Sequence, residues 1–275
     1  MSIRDELLER ISKKGDIPPL PSTIQKLKEL IDDPNSGIND VAQVIQSDPV
    51  LSGRLIQLAN SVYFSGRGFT VTSLPRAIGR LGLKMALDIA YSVELPKLFA
   101  KVKQIDQESF WKHSMALAIC SSSIAKIFGF NTDDVSHAYL GGLMHNIGVL
   151  IFVHFEPDKY SECIQNVNED GLPRLDAELD YFQIDSSELG AKFVEKWWPV
   201  APEVVQLITS NPANPQVLLT HIPTIGKQFL AAIGIPDGIE ILDADQDPSF
   251  LRRYGLTDDD ILNIRTEIQT ALNDF

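Results

Sequence analysis

The sequence predicts an all-α protein built from two packed helical lobes. Apolar residues recur at intervals of three and four along most of the 275 residues, which is the spacing of amphipathic helices. No run of residues alternates between apolar and polar side chains as a half-buried strand does. The segments between the helical patterns are short, which argues against loosely tethered domains. We therefore expect a first lobe over residues 1–105, a second over 106–232, and an acidic helical tail over 233–275 packed on them.

Helix-start and helix-stop residues divide the first lobe into several helices. We predict helices over residues 4–13, 22–31, 39–45, 49–59 and 73–95. Asp48-Pro49 is a strong helix start, because aspartate caps the first amide groups and proline suits the first helical position. The last of these helices should break near Gly79 to Gly82 and end at Pro96, which cannot donate a helical hydrogen bond.

The second lobe should contain longer helices. We predict helices over residues 110–128 and 136–153, and another that opens with Asp185-Ser186-Ser187-Glu188 and ends at Trp198-Pro199. A tail helix should begin near Thr257. The apolar run from Val149 to Phe155 is too short to span a membrane, and the charged N-terminus has no signal core, so we expect a cytoplasmic protein.

The net charge of −13 makes a general affinity for nucleic acid or membrane lipid improbable on electrostatic grounds. Residues 66–103 nevertheless carry seven lysines and arginines against two acidic residues, a local charge of +5. Arg76, Arg80 and Lys84 follow one another at intervals of four and would share a face if their helix continues past Gly82. That face is either a solvated surface paired with the acidic remainder, or a docking patch for an acidic partner or a nucleotide phosphate.

Two histidines on different predicted helices are the main chemical signal. His145 and Asn146 stand next to each other in an apolar helix whose glycines permit close helix approach. His113 lies on the apolar side of the preceding helix. Two buried imidazoles from two helices can begin a metal site, or can simply be hydrogen-bonded to the backbone or to each other.

His113, His145 and Asn146 resemble the HD superfamily of metal-dependent phosphohydrolases, in which a histidine, a His-Asp pair and a later aspartate hold a divalent metal. Four further motifs extend the likeness: Leu20-Pro21, Ser47-Asp48-Pro49-Val50-Leu51, Leu58-Ala59-Asn60-Ser61 and Ala77-Ile78-Gly79-Arg80-Leu81-Gly82. They are similar to the HDOD domain, the HD-related output domain of bacterial signalling proteins. The resemblance covers about residues 15 to 230 and implies an HD-domain-like second lobe.

The sequence departs from the family pattern at the positions that would bind metal. Asn146 stands where an HD protein has its metal-binding aspartate, and an amide is a weaker ligand than a carboxylate for a hard divalent ion. Ser186 occupies a place that often carries a histidine, Ser210-Asn211 replaces a frequent His-His pair, and the helix around His221 lacks the late aspartate. The resemblance therefore implies the fold and weakens the case for catalysis.

We predict a non-catalytic HDOD-type regulatory protein, a pseudoenzyme, with no catalytic residue. Its vestigial metal-site positions are His113, His145, Asn146 and Ser186. A signalling protein in trans, or a small anionic or nucleotide ligand, would bind it, and no cofactor is expected beyond weak or residual divalent metal at His113 and His145. Asn60 either caps its helix or contacts a ligand. The alternatives are an HD-type phosphohydrolase with an incomplete or unusual metal site, and a scaffold without a ligand.

Overall fold

The computed structural model describes residues 2–13, 20–61, 64, 69–100, 102, 105–198, 200–209, 219–239 and 248–273. Within these residues every regular element is a helix and no strand occurs, which confirms the predicted all-α class. The helices group into two compact units. We call Pro19–Leu98 with Asn263–Phe275 the first lobe, and Met1–Pro18 with Phe99–Leu262 the second lobe.

Most of the α-helices follow one another along the chain with short connections, and longer connections precede the last two helices. The α-helices are α1 (Ile3–Arg10), α2 (Ser22–Asp32), α3 (Ile38–Ile45), α4 (Pro49–Ala59), α5 (Leu74–Leu81), α6 (Leu83–Leu98), α7 (Gln107–Ile127), α8 (Thr132–Met144), α9 (Ile147–Phe155), α10 (Pro157–Asp170), α11 (Arg174–Phe182), α12 (Ser186–Trp197), α13 (Pro202–Ile208), α14 (Ile222–Ala232) and α15 (Asp258–Asn273). Two 3₁₀ segments, Leu219–His221 and Pro248–Tyr254, precede the last two helices.

The start of α4 forms as predicted. The Asp48 carboxylate accepts hydrogen bonds from the amide groups of Val50 and Leu51 at 2.9 and 3.0 Å, and Pro49 occupies the first turn. These bonds satisfy two of the amide groups that a helix N-terminus leaves without partners. The break between α5 and α6 also forms, because Gly82 has φ +89°, a backbone conformation that favours glycine.

Pro96 does not end its helix, and this prediction was wrong. Helix α6 continues through Pro96 to Leu98. Proline removes one helical hydrogen bond. Leu95 before it and Phe99 after it are both buried, so apolar packing holds the last turn in place despite that loss.

The predicted helix over residues 136–153 is two helices. Helix α8 ends at Met144 and α9 begins at Ile147, with His145 and Asn146 between them. Asn146 has φ −106° and ψ 13°, which lies outside the α-helical region. The two residues that resemble the His-Asp pair therefore lie at a bend rather than within a helix.

The contacts group both ends of the chain differently from the predicted lobes. Helix α1 belongs to the second lobe, where Arg4 and Arg10 form ion pairs with Glu188 and Glu156, and the Trp197 indole donates to the Ile11 carbonyl. The end of α15 belongs to the first lobe. Sequence periodicity marks the length of a terminal helix but not the partner on which it packs.

Helices α8 and α9 together contain a stretch, Thr132–Phe155, whose length and hydropathy would allow it to cross a membrane. Within the protein, 94% of its most apolar window is buried. A core helix of a folded domain can have the same length and hydropathy, because a helix that is surrounded by neighbours needs apolar side chains on all sides.

Candidate functional site

Glycines bring the two histidine-bearing segments together in the second lobe. Helix α7, which carries His113, packs along α8. A Cβ atom on Gly142 would lie only 2.7 Å from the Leu117 carbonyl oxygen, so only glycine permits this approach of the two backbones. The His113 and His145 ring centroids are consequently 5.2 Å apart, as the sequence led us to expect.

The Nδ1 atom of each histidine forms a hydrogen bond with a backbone carbonyl. His145 Nδ1 lies 2.8 Å from the Gly142 oxygen, and His113 Nδ1 lies 3.2 Å from the Ile235 oxygen. A carbonyl only accepts, so both contacts place the proton of a neutral ring on Nδ1. The Nε2 atom of His145 is buried and has no hydrogen-bond partner among the described residues.

Burial keeps both rings neutral. It lowers the pKa of His113 to about 4, although Asp237 and the Ile235 carbonyl act in the opposite direction. Burial also holds the pKa of His145 well below its ordinary value, with Lys227 and His113 adding to the effect. Neither ring therefore carries a positive charge near neutral pH, and neither can act as a general acid there.

The Arg174 side chain connects the other two vestigial positions. Its Nη2 atom donates to Asn146 Oδ1 at 3.1 Å, and its Nη1 atom donates to Ser186 Oγ at 2.9 Å. Asn146 lies at the bend before α9, Ser186 begins α12, and Arg174 begins α11. One guanidinium group thus bridges the two residues that replace metal-binding side chains in the family pattern.

A buried carboxylate balances the charge of this guanidinium. Glu178, one turn further along α11, is fully buried, and its Oε1 atom lies 3.1 Å from Arg174 Nη1. Tyr160 donates its hydroxyl to Oε1 at 2.8 Å, and the Ser186 amide group donates to Oε2 at 2.6 Å. Burial, with Glu178 adding to it, raises the pKa of Tyr160 well above its ordinary value, so the hydroxyl keeps its proton.

We call Asn146, Tyr160, Arg174, Glu178 and Ser186 the Arg174 cluster. Its geometry depends on a second close backbone approach. A Cβ atom on Gly148 would lie 1.9 Å from the Ser186 carbonyl oxygen, and Gly190 faces Gly148 from α12. Glycine at both positions lets α9 and α12 touch, which places Asn146 and Ser186 within reach of one arginine.

The residues present do not fit the divalent metal of the HD superfamily. No three His, Cys, Asp or Glu side chains in the described part of the chain are grouped so that they could hold a metal ion. The oxygen atoms of Asn146 and Ser186 already accept hydrogen bonds from Arg174. The guanidinium charge would also repel a cation placed between them.

Two of the candidate residues of the first lobe, Asn60 and Arg80, bind its own main chain. Asn60 is the C-cap of α4, and its amide donates to the Ile56 and Val71 carbonyls at 2.9 and 2.8 Å while accepting from the Val71 amide at 2.7 Å. Arg80 donates to the Ala59 and Phe69 carbonyls at 2.9 and 2.6 Å. We call these two side chains and their acceptors the Asn60–Arg80 cluster.

The predicted basic face requires one continuous helix, which does not form. Helix α5 ends at Leu81 and Gly82 interrupts it, so Lys84 lies on a different helix from Arg76 and Arg80. Arg76 and Lys84 are exposed, while Arg80 is directed to backbone carbonyls. The Ser210-Asn211 position lies outside the described residues.

Three comparisons place this geometry among known proteins. The HDOD domain model matches residues 17–213, which is most of the chain. The chain belongs to the HDOD domain family. Its structure is similar to that of a proposed phosphohydrolase from Shewanella amazonensis SB2B, with 25% identity, a TM-score of 0.72, and coverage of 98% of this chain and 97% of that one.

A second solved structure supports the HDOD fold. It is an HDOD domain protein of unknown function from Geobacter sulfurreducens, with 22% identity, a TM-score of 0.70, and coverage of 98% of this chain and 97% of that one. An uncharacterized protein of Treponema pallidum (strain Nichols) is 24% identical over 182 residues, or 66% of this chain. The match spans about a third, 35%, of that longer relative.

Sequence reasoning missed Arg174, Glu178 and Tyr160. Arg174 and Glu178 are spaced by four residues, which is typical of an exposed helical ion pair. Leu175 and Leu179 have the same spacing on α11 and would ordinarily be placed in the core. The structure reverses this expectation, since the charged pair is buried and both leucines are exposed. Glu178 precedes the helix start at Ser186 in the sequence, but this signal is too weak to identify the buried Arg174–Glu178 pair.

Proposed function

We propose that this HDOD protein is non-catalytic and regulates a signalling protein in trans, in the cytoplasm, by binding it. The observation that carries the proposal is the Arg174 guanidinium, bonded to both Asn146 and Ser186. The positively charged guanidinium group, bonded to Asn146 and Ser186, holds the surrounding helices together electrostatically. Unlike a metal ion, it supplies no Lewis acid and no activated water.

Neutral histidines add support to this proposal. Both rings are buried, and both Nδ1 atoms are bonded to backbone carbonyls. These contacts satisfy the buried Nδ1 atom of each ring without a substrate, as in a structural histidine. Binding a small anionic or nucleotide ligand remains a second role for the surface of the first lobe, where Arg76 is exposed.

One observation favours the alternative, an HD-type phosphohydrolase with an unusual site. His145 Nε2 is buried and has no hydrogen-bond partner among the described residues. The centroids of the His113 and His145 rings are 5.2 Å apart. A deprotonated Nε2 is the form in which histidine binds metal. The similarity to the Shewanella protein points the same way.

Metal content and turnover, measured together, separate the two functions. Protein purified without a histidine tag should contain far less than one equivalent of metal, and it should not hydrolyse phosphomonoesters, nucleotides or cyclic dinucleotides. The His145→Ala variant should behave in the same way. His154→Ala is the matched control, because His154 is an exposed histidine on the neighbouring helix α9.

Stoichiometric metal together with turnover that disappears in His145→Ala, but persists in His154→Ala, would establish the phosphohydrolase and overturn our proposal. Turnover that is unaffected by either substitution would indicate a contaminating enzyme. In that case further purification should separate the activity from the protein, as the proposal requires.

A further inference from the structure

Helix α11 buries a charged pair and exposes two leucines. Its charged pair, Arg174 and Glu178, is buried in the Arg174 cluster. Beside this pair, Leu175 is 38% exposed and Leu179 is 44% exposed, and Leu172, just before the helix, is 48% exposed. Leu175 and Leu179 are four residues apart and share one side of the helix, and Leu172 lies in the segment that leads into it. We call them the leucine ridge.

Single exposed leucines need no explanation, but an aligned set does. Exposing these side chains leaves apolar area in water that folding would ordinarily bury. The inner contacts of α11 fix its rotation, so the ridge cannot turn into the core without breaking the hydrogen bonds from Arg174 to Asn146 and Ser186. The fold therefore holds an apolar surface outward.

Carboxylates border this ridge. Glu169, Asp170, Asp176 and Asp180 are all exposed, and within the described residues none of the four forms an ion pair. The stretch from Glu156 to Glu188 contains ten acidic residues and two basic ones, so it carries −8 of the net −13 charge of the chain. One of the two basic residues is Arg174, which is buried and neutralised by Glu178.

We propose that the leucine ridge and its acidic border form a docking surface for a basic amphipathic helix of a partner protein. Apolar side chains of such a helix would cover Leu172, Leu175 and Leu179, while its lysines and arginines would meet the surrounding carboxylates. The proposal deepens the proposed function and rests on it, because it names the surface and the partner chemistry of a protein that acts by recognition.

Charge argues against the other occupants of an apolar face. An anionic membrane or nucleic acid would meet four exposed carboxylates near the ridge, and electrostatic repulsion would oppose binding. A second copy of this chain would bring the same acidic border into contact with itself in a symmetric dimer. A basic helix is the partner for which both the apolar and the charged parts of the surface are complementary.

The test uses the full chain and a synthetic helical peptide of leucine and lysine, about five turns long, with its leucines on one face. A permuted peptide of the same composition lacks the apolar face, and a leucine–glutamate peptide has the opposite charge. The measurement is binding by titration calorimetry at low and high salt. Only the amphipathic basic peptide should bind tightly, and high salt should weaken its binding.

Substitutions locate the binding site. Leu175→Asp with Leu179→Asp should weaken binding of the amphipathic basic peptide about tenfold or more, because interface anchors dominate affinity. Leu262→Asp is the matched control, since Leu262 is a leucine of α15 that is 60% exposed, and it should leave binding unchanged. The milder pair Leu175→Ser and Leu179→Ser, with unchanged thermal unfolding, covers a failure of the aspartate variant to fold.

Three results would overturn the docking proposal: equal binding of the permuted peptide, equal loss in the Leu262→Asp control, or no binding at all. A dimer in sedimentation equilibrium that dissociates in the Leu175→Asp, Leu179→Asp protein would assign the ridge to a second copy and would also overturn it. None of these results bears on metal content or turnover, so a failure of the docking proposal can be distinguished from a failure of the proposed function.

Discussion

The Arg174 cluster of the second lobe and the Asn60–Arg80 cluster of the first lobe contain the family-like polar residues, but they use them differently. In the Arg174 cluster, buried side chains bond mainly to one another, and a full ion pair lies inside the protein. In the Asn60–Arg80 cluster, partly exposed side chains bond to backbone carbonyls of their own lobe.

This difference determines what each cluster contributes to the protein. Both members of a buried ion pair must be present, because either one alone would be a desolvated charge without a counter-charge. A side chain that binds a backbone carbonyl near the surface can be replaced by water at a modest cost. The Arg174 cluster is therefore an all-or-none element, whereas the Asn60–Arg80 cluster adjusts a local chain path.

Removing Glu178 should have the largest effect on stability. Glu178→Ala leaves the Arg174 guanidinium buried without its carboxylate and also removes the acceptor of the Tyr160 hydroxyl. We expect the free energy of unfolding to fall by about 3–5 kcal/mol, the usual effect of breaking a buried ion pair. Urea unfolding followed by circular dichroism measures it.

Asp180→Ala is the matched control for this substitution. Asp180 lies on the same helix two residues further on and is exposed. Its replacement should change the free energy of unfolding by about 0.5 kcal/mol or less, as is usual for surface positions. Similar losses for the two variants would show that the ion pair of the Arg174 cluster is not an all-or-none element.

Acid should destabilise the second lobe through its buried histidines. The pKa of His113 is about 4 in the folded protein and 6.5 ordinarily, so between these pH values the unfolded chain binds the extra proton. Stability from this residue is complete above pH 6.5 and is lost as the pH falls toward 4. The difference corresponds to about 3 kcal/mol at pH 4, and His145 should add to it.

Unfolding free energies at several pH values between 7 and 4 measure this dependence. In the His113→Gln protein the slope of stability against pH should be smaller, because one group that gains a proton on unfolding is gone. In the matched variant His154→Gln, which replaces an exposed histidine, the slope should stay as in the wild type. Parallel slopes for all three proteins would contradict a buried, neutral His113.

The sequence was sufficient for the helical class, the Asp48-Pro49 helix start and the neighbouring positions of His113 and His145. These features follow from local rules, namely spacing, capping and the close approach that Gly142 permits. The bend at His145 and Asn146 could not be predicted in the same way. It depends on the contact of Gly148 with Ser186, two residues on different helices whose approach is a property of the tertiary fold.

Helix α11 explains why the rest of the candidate site was hidden. Its leucine spacing predicts a buried apolar face, and its Arg174–Glu178 spacing predicts a surface ion pair. Both expectations are local, and neither holds in the structure, where Arg174 bonds to Asn146 and Ser186 on other elements of the lobe. A residue that acts through distant partners leaves no periodic signal in one sequence.

Arg80 and Arg76 offer the smallest but most closely matched comparison, since they are four residues apart on α5. Arg80→Met removes two hydrogen bonds to the Ala59 and Phe69 carbonyls and should lower the free energy of unfolding by about 1–2 kcal/mol. Arg76 is exposed, so Arg76→Met should change that free energy by about 0.5 kcal/mol or less. Denaturant titrations of both variants measure this difference. A loss in Arg76→Met as large as that in Arg80→Met would mean that net positive charge, rather than contact with the main chain, is what α5 contributes.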